Sequence, residues 1–184
     1  DGARLTLDPS IRADAARGNG TLLVGNARVG VLAQGSAAVL ALRGAQVNGN
    51  RGPGVFVAAG ARAEVVGYSE LRGNGALGIG VTRTGSIAAV QCNGIAETRL
   101  APLASTTGTM AMFGDGVAID QGARVDITRN IVSDNGRFGV VFQRVSGSFT
   151  GNEGAGNAYG QGVYDSSGLV GADTPQILGN ARPP

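Results

Sequence analysis

The sequence of 184 residues contains no lysine, no histidine and no tryptophan, and aromatic residues make up only 4% of it. The absence of histidine excludes a nucleophilic triad of the Ser-His-Asp kind. The single cysteine, Cys92, excludes an internal disulfide framework. No apolar run approaches the roughly 18 residues that indicate a membrane-spanning helix, so we expect no membrane span.

Charged residues are few, and their two signs are nearly balanced. Fifteen basic residues, all of them arginine, oppose thirteen acidic residues and leave a formal net charge of +2. The arginines are scattered along the chain and never form a run of three. Because nucleic-acid binding needs a concentrated basic face, we expect no nucleic-acid partner. The use of arginine without lysine, together with much alanine, glycine and valine, indicates a GC-rich, bacterial source.

Glycine, by contrast, is abundant and accounts for 33 residues. Within a helix each glycine costs about 1 kcal/mol relative to alanine. Glycine suits the tight turns between short strands, and the valine, isoleucine and leucine residues are spread out as strands require. The composition therefore favours an all-β protein.

An internal repeat organises most of the chain. A glycine followed by valine or isoleucine recurs six times; four of the five steps measure 23 or 24 residues, and the other measures 38. The glycines of these doublets are Gly30, Gly54, Gly78, Gly116, Gly139 and Gly162. An asparagine precedes most of these doublets by four or five residues. A further asparagine, 23 residues after the last of these, lies where the corner of the following coil would be. These asparagines are Asn26, Asn50, Asn74, Asn135, Asn157 and Asn180.

The repeat predicts a solenoid. Apolar residues alternate within each copy, as in Val117-x-Ile119 and Val125-x-Ile127, and a period of two indicates strands. Such short strands cannot pair locally at this spacing, but residues one repeat apart pair in parallel if each coil lies on the previous one. We expect the corner asparagines to bond to each other as a ladder. We therefore predict an all-β parallel solenoid of six to seven coils, with 22–24 residues in each coil and one inserted loop.

One stretch of this repeat resembles a known family. It runs Ile127-x-x-Asn130-x-Val132-x-x-Asn135-Gly136-x-x-Gly139-Val140, and partial copies lie at Val90-x-x-Asn93-x-Ile95 and Phe149-x-x-Asn152. The cadence is similar to that of the right-handed parallel β-helix proteins of the pectate-lyase-like superfamily, over residues 26–180. The resemblance implies the right-handed parallel β-helix fold. It implies no single function, because this superfamily includes lyases, hydrolases, epimerases and adhesins.

The domain organisation follows from the repeat. We predict a single β-helix domain over residues 1–184, with residues 1–25 as an irregular N-terminal coil or cap and residues 181–184 as a tail. The long step predicts an insertion of about 14 residues, which falls within residues 94–115. A loop of this length is more often functional than filler. Either it folds back over its own coil, or it contacts a ligand or a partner.

The candidate catalytic residues lie beside this insertion. They are Asp115 and Asp120, with Glu97 and Arg99 on the loop. Glycoside hydrolysis needs two carboxylates about 5–10 Å apart, and no adjacent coils carry carboxylates at the same position of the repeat. The positions equivalent to Asp120 are Gln34, Ala58, Thr82 and Gln143. The alternative is that the four charged residues are solvated side chains at the base of the loop.

The resemblance also implies a cation, since polysaccharide lyases of this superfamily bind Ca²⁺ through acidic residues on an outward strand face. Ca²⁺ takes about 6–8 oxygen ligands, and the sequence around Asp115 and Asp120 offers too few. We therefore expect no bound metal and no cofactor. If a metal ion does bind, the resemblance implies that it is Ca²⁺.

Two tyrosines form a separate candidate for binding. Tyr159 and Tyr164 stand on either side of Gly162, and we predict that they line one shallow patch. The alternative is that they fill corners of the solenoid, because tyrosine is often half buried.

Together, these observations predict a non-catalytic surface, binding or structural module within a larger secreted or cell-envelope protein. We expect it outside the cell or at the cell surface, with a polysaccharide or an envelope protein as its partner. End-to-end self-association, coil upon coil, is a third expectation for a solenoid. The alternative function is a carbohydrate-active enzyme, namely a polysaccharide lyase, hydrolase or epimerase that acts on acidic polysaccharide.

Overall fold

The computed structural model describes residues 4–7, 22–104, 110–160, 162–163 and 168–170. This part of the chain forms nineteen strands. It holds no helix with the length and apolar character needed to cross a membrane. The strands are β1 (Arg4–Leu7), β2 (Leu22–Val24), β3 (Val31–Gln34), β4 (Val39–Arg43), β5 (Gln46–Asn48), β6 (Val55–Ala58), β7 (Arg62–Val66), β8 (Glu70–Arg72), β9 (Ala76–Thr82), β10 (Ile87–Gln91), β11 (Gly94–Ala96), β12 (Ala101–Ala104), β13 (Met110–Asp120), β14 (Arg124–Thr128), β15 (Ile131–Ser133), β16 (Val140–Gln143), β17 (Ser146–Thr150), β18 (Gly162–Val163) and β19 (Gly168–Val170).

All of these strands except β12 pair in parallel and build three sheets. Sheet 1 contains β1, β4, β7, β10, β14, β17 and β19; sheet 2 contains β2, β5, β8, β11 and β15; sheet 3 contains β3, β6, β9, β13, β16 and β18. The chain visits sheets 1, 2 and 3 in that order and then begins a new coil. Within the described residues five coils contribute a strand to every sheet, slightly fewer than the six to seven predicted.

The strand pairing confirms the predicted parallel solenoid. Val31, Val55, Ile79, Val117 and Val140 are successive partners in sheet 3, so the glycine-valine doublets form one column. The side chains of this column are buried, and alternate residues point outward. Full burial of one such side chain stabilises the fold by about 1.5–3 kcal/mol. The stacked coils thus enclose one continuous apolar core.

An asparagine ladder closes the corner between sheets 2 and 3. The side-chain amide of Asn26 donates to Asn50 Oδ1, that of Asn50 to Asn74 Oδ1, and that of Asn135 to Asn157 Oδ1, each at 2.8 Å. Each acceptor oxygen also receives the backbone N–H of the preceding ladder residue. The predicted ladder is thus confirmed.

The ladder changes residue type in the fourth coil. Thr98 holds the corner there, and its backbone N–H donates to Asn135 Oδ1 at 3.1 Å. The hydroxyl of Thr98 is buried and has no hydrogen-bond partner among the described residues. Asn180, the last predicted member of the ladder, lies outside the described residues.

The neighbouring coil explains the glycine of the repeat. A Cβ on Gly54 would lie 2.7 Å from Gly78 O and 2.8 Å from Asn74 Nδ2. Gly30 and Gly116 stand in the same relation to the ladder asparagine one coil further on. None of these glycines has a positive φ. The repeat therefore needs glycine here for space and not for backbone freedom.

A second ladder, which was not predicted, closes the corner between sheets 1 and 2. The backbone N–H of Ser69 donates to Asn93 Oδ1 at 3.1 Å. The side chain of Asn93 donates to Asn130 Oδ1 at 3.1 Å, and that of Asn130 to Asn152 Oδ1 at 2.8 Å. All four residues are buried. Each unpaired group would cost about 1–3 kcal/mol, so the ladders remove a penalty that the narrow interior would otherwise impose.

The inserted residues form a hairpin at the corner between sheets 2 and 3 of the fourth coil. Gly75 pairs with Arg99 and Ala76 pairs with Gly114, so residues 100–113 are extra relative to the preceding coil. Within them β12 pairs antiparallel with the first residues of β13, which then continues into sheet 3. The inserted loop of the predicted fold is therefore a strand hairpin, and β11 before it keeps a regular place in sheet 2.

Candidate functional site

The two faces of the hairpin differ in exposure over its described side chains, residues 100–103 and 110–113. Leu103 and Phe113 are half-buried and face the outside of sheet 3. Met110 and Met112 lie on the other face and are 64% and 53% exposed. One face of the insertion thus folds over its own coil, while the other is open to solvent.

A groove lies between the hairpin and the outer face of sheet 3, and it encloses about 490 Å³. Gly80 and Ala118 lie on its floor, the Phe56 ring packs directly against Gly80, and Phe113 and Arg83 contribute to the lining. We refer to this space as the sheet 3 groove. Its other polar side chains come from one column of register partners, as the repeat predicted: Gln34, Thr82, Asp120 and Gln143.

Asp120 supplies a carboxylate to the sheet 3 groove. Its Oδ1 is buried and has no hydrogen-bond partner among the described residues, and the same holds for Oγ1 of its register partner Thr82. Burial raises the pKa of Asp120, and the Thr82 hydroxyl and the charges of Arg144 and Arg83 lower it in part. The hydroxyl is therefore close to the carboxyl, but the two oxygens do not meet hydrogen-bond geometry. Both atoms keep unused bonding capacity.

Asp115 lies on the same strand and is, in contrast, fully paired. It is 0% exposed, and Arg137 donates Nε to its Oδ1 and Nη2 to its Oδ2, both at 2.9 Å. The backbone N–H of Phe138 reaches Oδ1 at 3.2 Å. Burial raises the pKa of Asp115, and Arg137 and the Phe138 N–H lower it in part. The remaining nitrogen, Nη1 of Arg137, donates to Met112 O at 2.7 Å and so ties the hairpin to the fifth coil.

Aromatic rings surround this ion pair on the outside of the molecule. The guanidinium carbon of Arg137 lies 4.9 Å from the ring centre of Phe113 and 5.3 Å from that of Phe138, distances at which cation and ring attract. Phe138 in turn meets Tyr159 edge to face, with ring centres 5.6 Å apart. Tyr159 is 64% exposed, whereas Tyr164 lies outside the described residues.

The four predicted catalytic residues do not form a single cluster. Asp115 and Asp120 both line a smaller cavity of about 300 Å³ that adjoins the sheet 3 groove. Glu97 instead forms a two-point ion pair with Arg72, and the hydrogen bond from Arg72 lowers the pKa of Glu97. Arg99 donates to a backbone carbonyl of the ladder corner at 3.1 Å. A catalytic role for any of the four stays a prediction.

The groove does not fit the Ca²⁺ site that the resemblance implies. Among the described residues, no three acidic or thiol side chains gather as metal ligands. Both carboxylate oxygens of Asp115 are engaged by Arg137, which leaves Asp120 with a hydroxyl and amides as neighbours. These side chains supply fewer than the roughly 6–8 oxygens that Ca²⁺ takes.

A model of the protein family described as the right handed beta helix region matches residues 23–180. The chain belongs to the right-handed β-helix family. The match covers the hairpin and the sheet 3 groove, and it agrees with the resemblance to the pectate-lyase-like superfamily at the level of the fold. Comparison with the curated proteins and with the solved structures found no match. The function of this right-handed β-helix must therefore be argued from its site.

The sequence pattern did not indicate the roles of Arg137, Thr82 and Phe56 in the site. Arg137 follows Asp115 by 22 residues, about one coil, and so stands where a partner on the next coil would be. Thr82 was recognised as an equivalent of Asp120, but its hydroxyl was given no role. A search for complementary side chains one coil apart would have found Arg137.

Proposed function

We propose that this β-helix is a non-catalytic binding module whose sheet 3 groove holds an extended polysaccharide chain. The observation that supports this function is the combination of two phenylalanine side chains and a column of polar side chains along one groove. Ligand sites commonly join an apolar lining to a few polar groups that fix the orientation of the ligand.

The side chains of the groove match the two kinds of surface on a sugar ring. The C–H faces of the ring pack against aromatic side chains, which Phe56 and Phe113 offer from opposite elements. The hydroxyl edges need hydrogen-bond partners, which Gln34, Asp120 and Gln143 offer along the coil axis. A chain lying along that axis would meet the same kind of contact from coil to coil.

The state of the two carboxylates supports binding over hydrolysis. Hydrolysis of a glycosidic bond uses two carboxyl groups, one as acid and one as base or nucleophile. Here Asp115 is buried against Arg137 and both of its oxygens are occupied, so of this pair only Asp120 is outside an ion pair among the described residues. The groove offers no lysine or histidine as a substitute base, because the chain contains neither.

Filling the groove tests the proposal. Ala118→Leu places a larger side chain on its floor, and we expect it to weaken oligosaccharide binding at least about 10-fold, because the ligand would lose its space. The matched control is Ala89→Leu, on the outer face of sheet 1, which should leave binding unchanged. Binding is measured by calorimetry with hits from an oligosaccharide array. Equal binding by wild type and Ala118→Leu contradicts the proposal.

A carbohydrate-active enzyme is the second candidate, and one observation favours it. Asp120 is partly buried in a groove and burial raises its pKa, which is typical of a general acid or base. The test is release of reducing ends or of unsaturated products from acidic polysaccharides, with and without Ca²⁺. Turnover by wild type that Asp120→Asn abolishes would replace the binding module by an enzyme.

A further inference from the structure

We propose that the corner between sheets 3 and 1 is a docking surface for a membrane that is rich in anionic lipids. Four arginines along this corner make the contact, and we refer to them as the arginine edge: Arg62, Arg83, Arg124 and Arg144. The inference goes beyond the proposed function and does not depend on it, although Arg83 also lines the sheet 3 groove.

The solenoid brings together arginines that are far apart in the sequence. Arg83 and Arg144 directly follow β9 and β16. Arg62 and Arg124 begin β7 and β14, and both are register partners of Ile87. Each of four successive coils therefore contributes one arginine to the same corner. Because neighbouring strands lie about 4.8 Å apart and the coils stack along one axis, the edge follows a line that a flat surface can touch.

The arginine edge is exposed and unpaired. All four side chains are open to solvent, and none forms an ion pair or a side-chain hydrogen bond within the described residues. The corner segments that carry them contain no carboxylate: residues 59–62, 83–86, 121–124 and 144–146. Arg72, Arg99 and Arg137, by contrast, donate to protein groups elsewhere. The edge thus keeps its positive charge available for a partner.

Nearby carboxylates offset the charge of the edge only in part. On sheet 1, Arg43 pairs with Glu64 at 3.1 Å, and Ser148 Oγ donates to Asp126 Oδ1 at 2.8 Å. On sheet 3, burial raises the pKa of Asp120, and two arginines of the edge lower it in part. The four arginines therefore outnumber Asp120 and Asp126, the two nearby carboxylates without an ion pair in the described part of the chain.

A shallow depression on the edge suits the phosphate of a lipid headgroup. Arg83 and Arg144 line it, with Gln121 of the intervening coil between them. A guanidinium group donates two parallel hydrogen bonds to a phosphate, which makes arginine the usual partner of that group. Because both side chains line the same space, a phosphate that enters it meets two cations.

Apolar side chains beside the arginines favour a lipid surface over other polyanions. Val39 and Ile87 are the register partners of Arg62, and Val39 is 36% exposed. Aliphatic side chains next to basic ones suit the boundary between headgroups and acyl chains. Single-stranded nucleic acid and sugar rings instead pack on aromatic side chains, and the corner segments contain none.

Co-sedimentation with vesicles tests the inference. The anionic vesicles contain equal parts of phosphatidylcholine and phosphatidylglycerol, and the neutral vesicles contain phosphatidylcholine alone. We expect the protein to bind the anionic vesicles at low salt, to leave them at high salt and not to bind the neutral vesicles, because the attraction is electrostatic.

Two double variants test the edge in halves. Arg83→Gln/Arg144→Gln removes the cations of the depression, and Arg62→Gln/Arg124→Gln removes those that begin strands of sheet 1. Each should weaken binding to the anionic vesicles about 25-fold, because one arginine near such a surface contributes a factor of about five. If either variant binds as well as the wild type, the four arginines do not act as one edge.

The matched control is Arg28→Gln/Arg51→Gln, which removes two exposed arginines from the corner between sheets 2 and 3. It changes the net charge by the same amount, and it should weaken binding no more than about twofold because that corner does not face the bilayer. Thermal unfolding of each variant checks that the fold is retained.

Three further results overturn the inference. Equal binding to anionic and neutral vesicles, or to neither, removes the anionic membrane as the partner. A loss in the control as large as in the edge variants assigns the attraction to the overall charge. Binding of oligogalacturonate or single-stranded DNA without any vesicle binding identifies a different polyanion as the partner of the edge.

Discussion

The corner between sheets 1 and 2 and the outer face of sheet 3 differ in whether their buried polar groups are paired. In the second ladder, Asn130 donates to Asn152 Oδ1 and to Val90 O, both at 2.8 Å, and accepts from Asn93. In the groove, Oδ1 of Asp120 is buried with no such partner among the described residues. A scaffold gains stability when its buried polar groups are paired, as they are in the second ladder, although the hydroxyl of Thr98 in the first ladder has no partner among the described residues. The comparison therefore sets the second ladder apart from the groove.

The same contrast exists within β13. Asp115 is held by two charged hydrogen bonds from Arg137 and one backbone N–H, and it serves to anchor the hairpin. Asp120, further along the strand, faces the groove and has no ion pair within the described part of the chain. Two aspartates on one strand thus have different roles, because only one of them lies opposite an arginine of the next coil.

Removal of a ladder amide should have the largest effect. Asn130→Ala leaves the backbone N–H of Asn93 without its acceptor, and it removes one hydrogen bond each from the Asn93 side chain, Val90 O and Asn152 Oδ1. We expect the free energy of unfolding to fall by about 4 kcal/mol, since an unpaired buried group costs about 1–3 kcal/mol and each lost hydrogen bond about 1 kcal/mol. Urea denaturation measures the change. Asn48→Ala, which removes an exposed acceptor, is the control and should cost less than about 1 kcal/mol. Equal losses would remove the distinction between ladder and surface.

Loss of the anchor arginine should be the next largest effect. Arg137→Met leaves the buried carboxylate of Asp115 without its counter-charge, and we expect a loss of about 3 kcal/mol in the free energy of unfolding. The control is Arg43→Met, because Arg43 pairs with Glu64 at an exposed site and should contribute under about 1 kcal/mol. The double variant Arg137→Met/Asp115→Leu should recover much of the loss in urea denaturation. If the double variant is no more stable than Arg137→Met, the uncompensated charge is not the cause.

The space that the ladder needs can be tested at the glycine of the repeat. Gly54→Ala would place a Cβ against Gly78 O and Asn74 Nδ2, and we expect it to destabilise the fold by about 2 kcal/mol. Gly49→Ala is the matched control, because Gly49 has a φ of +65° and open space around its Cβ position. It should cost about 1 kcal/mol through backbone strain alone. Thermal unfolding of the two variants would contradict the steric explanation if Gly49→Ala were the less stable.

The smallest effect is expected at the groove and has the opposite sign. Asp120→Asn should raise the free energy of unfolding at pH 7 by about 0.5–1 kcal/mol, because the neutral amide avoids the cost of burying a charge, a cost that partial exposure of the side chain reduces. Burial raises the folded-state pKa of Asp120 above its ordinary value of 3.8. The wild type is therefore most stable below pH 3.8 with respect to this group, and it loses that stability as the pH rises through the folded-state pKa.

Urea denaturation of wild type and Asp120→Asn between pH 3 and pH 7 checks this sign. As the pH rises from 3 to 7, the variant should lose less stability than the wild type. Burial also raises the pKa of Asp115, but Asp115 is present in both proteins and so contributes with the same sign in each. Asp126→Asn serves as the control and should shift stability by no more than about 0.5 kcal/mol. A variant that is less stable than the wild type at pH 7 would make Asp120 a structural residue.

Much of the fold was predictable because the repeat encodes it locally. The doublet at Gly54-Val55 and its copies set the coil length. That length predicts that Thr82, Asp120 and Gln143 occupy equivalent positions, and the strand register agrees. The second ladder was missed for a physical reason. Its first member is Ser69, whose hydroxyl accepts a hydrogen bond as an asparagine amide oxygen would. The hydrogen bonds of the ladder therefore continue although the residue type changes.

The site was less predictable because it depends on contacts across the insertion. The position and length of the insertion followed from the long step, but the direction of the hairpin did not. That direction is held by Arg137, which reaches Met112 O and Asp115 from the next coil. The repeat does not mark the contact with Met112, because Met112 belongs to the insertion and has no equivalent in the other described coils.

The sequence by itself determined which residues stack upon one another, because a coil of constant length places each residue above its equivalent. It therefore determined the parallel sheets, the first ladder and the column that contains Asp120. Only the tertiary structure decided that Asp115 pairs with Arg137 while the buried Oδ1 of Asp120 has no hydrogen-bond partner in the described part of the chain. The reason is that pairing and burial depend on where the hairpin lies over sheet 3, and the side chains that hold it there come from different coils.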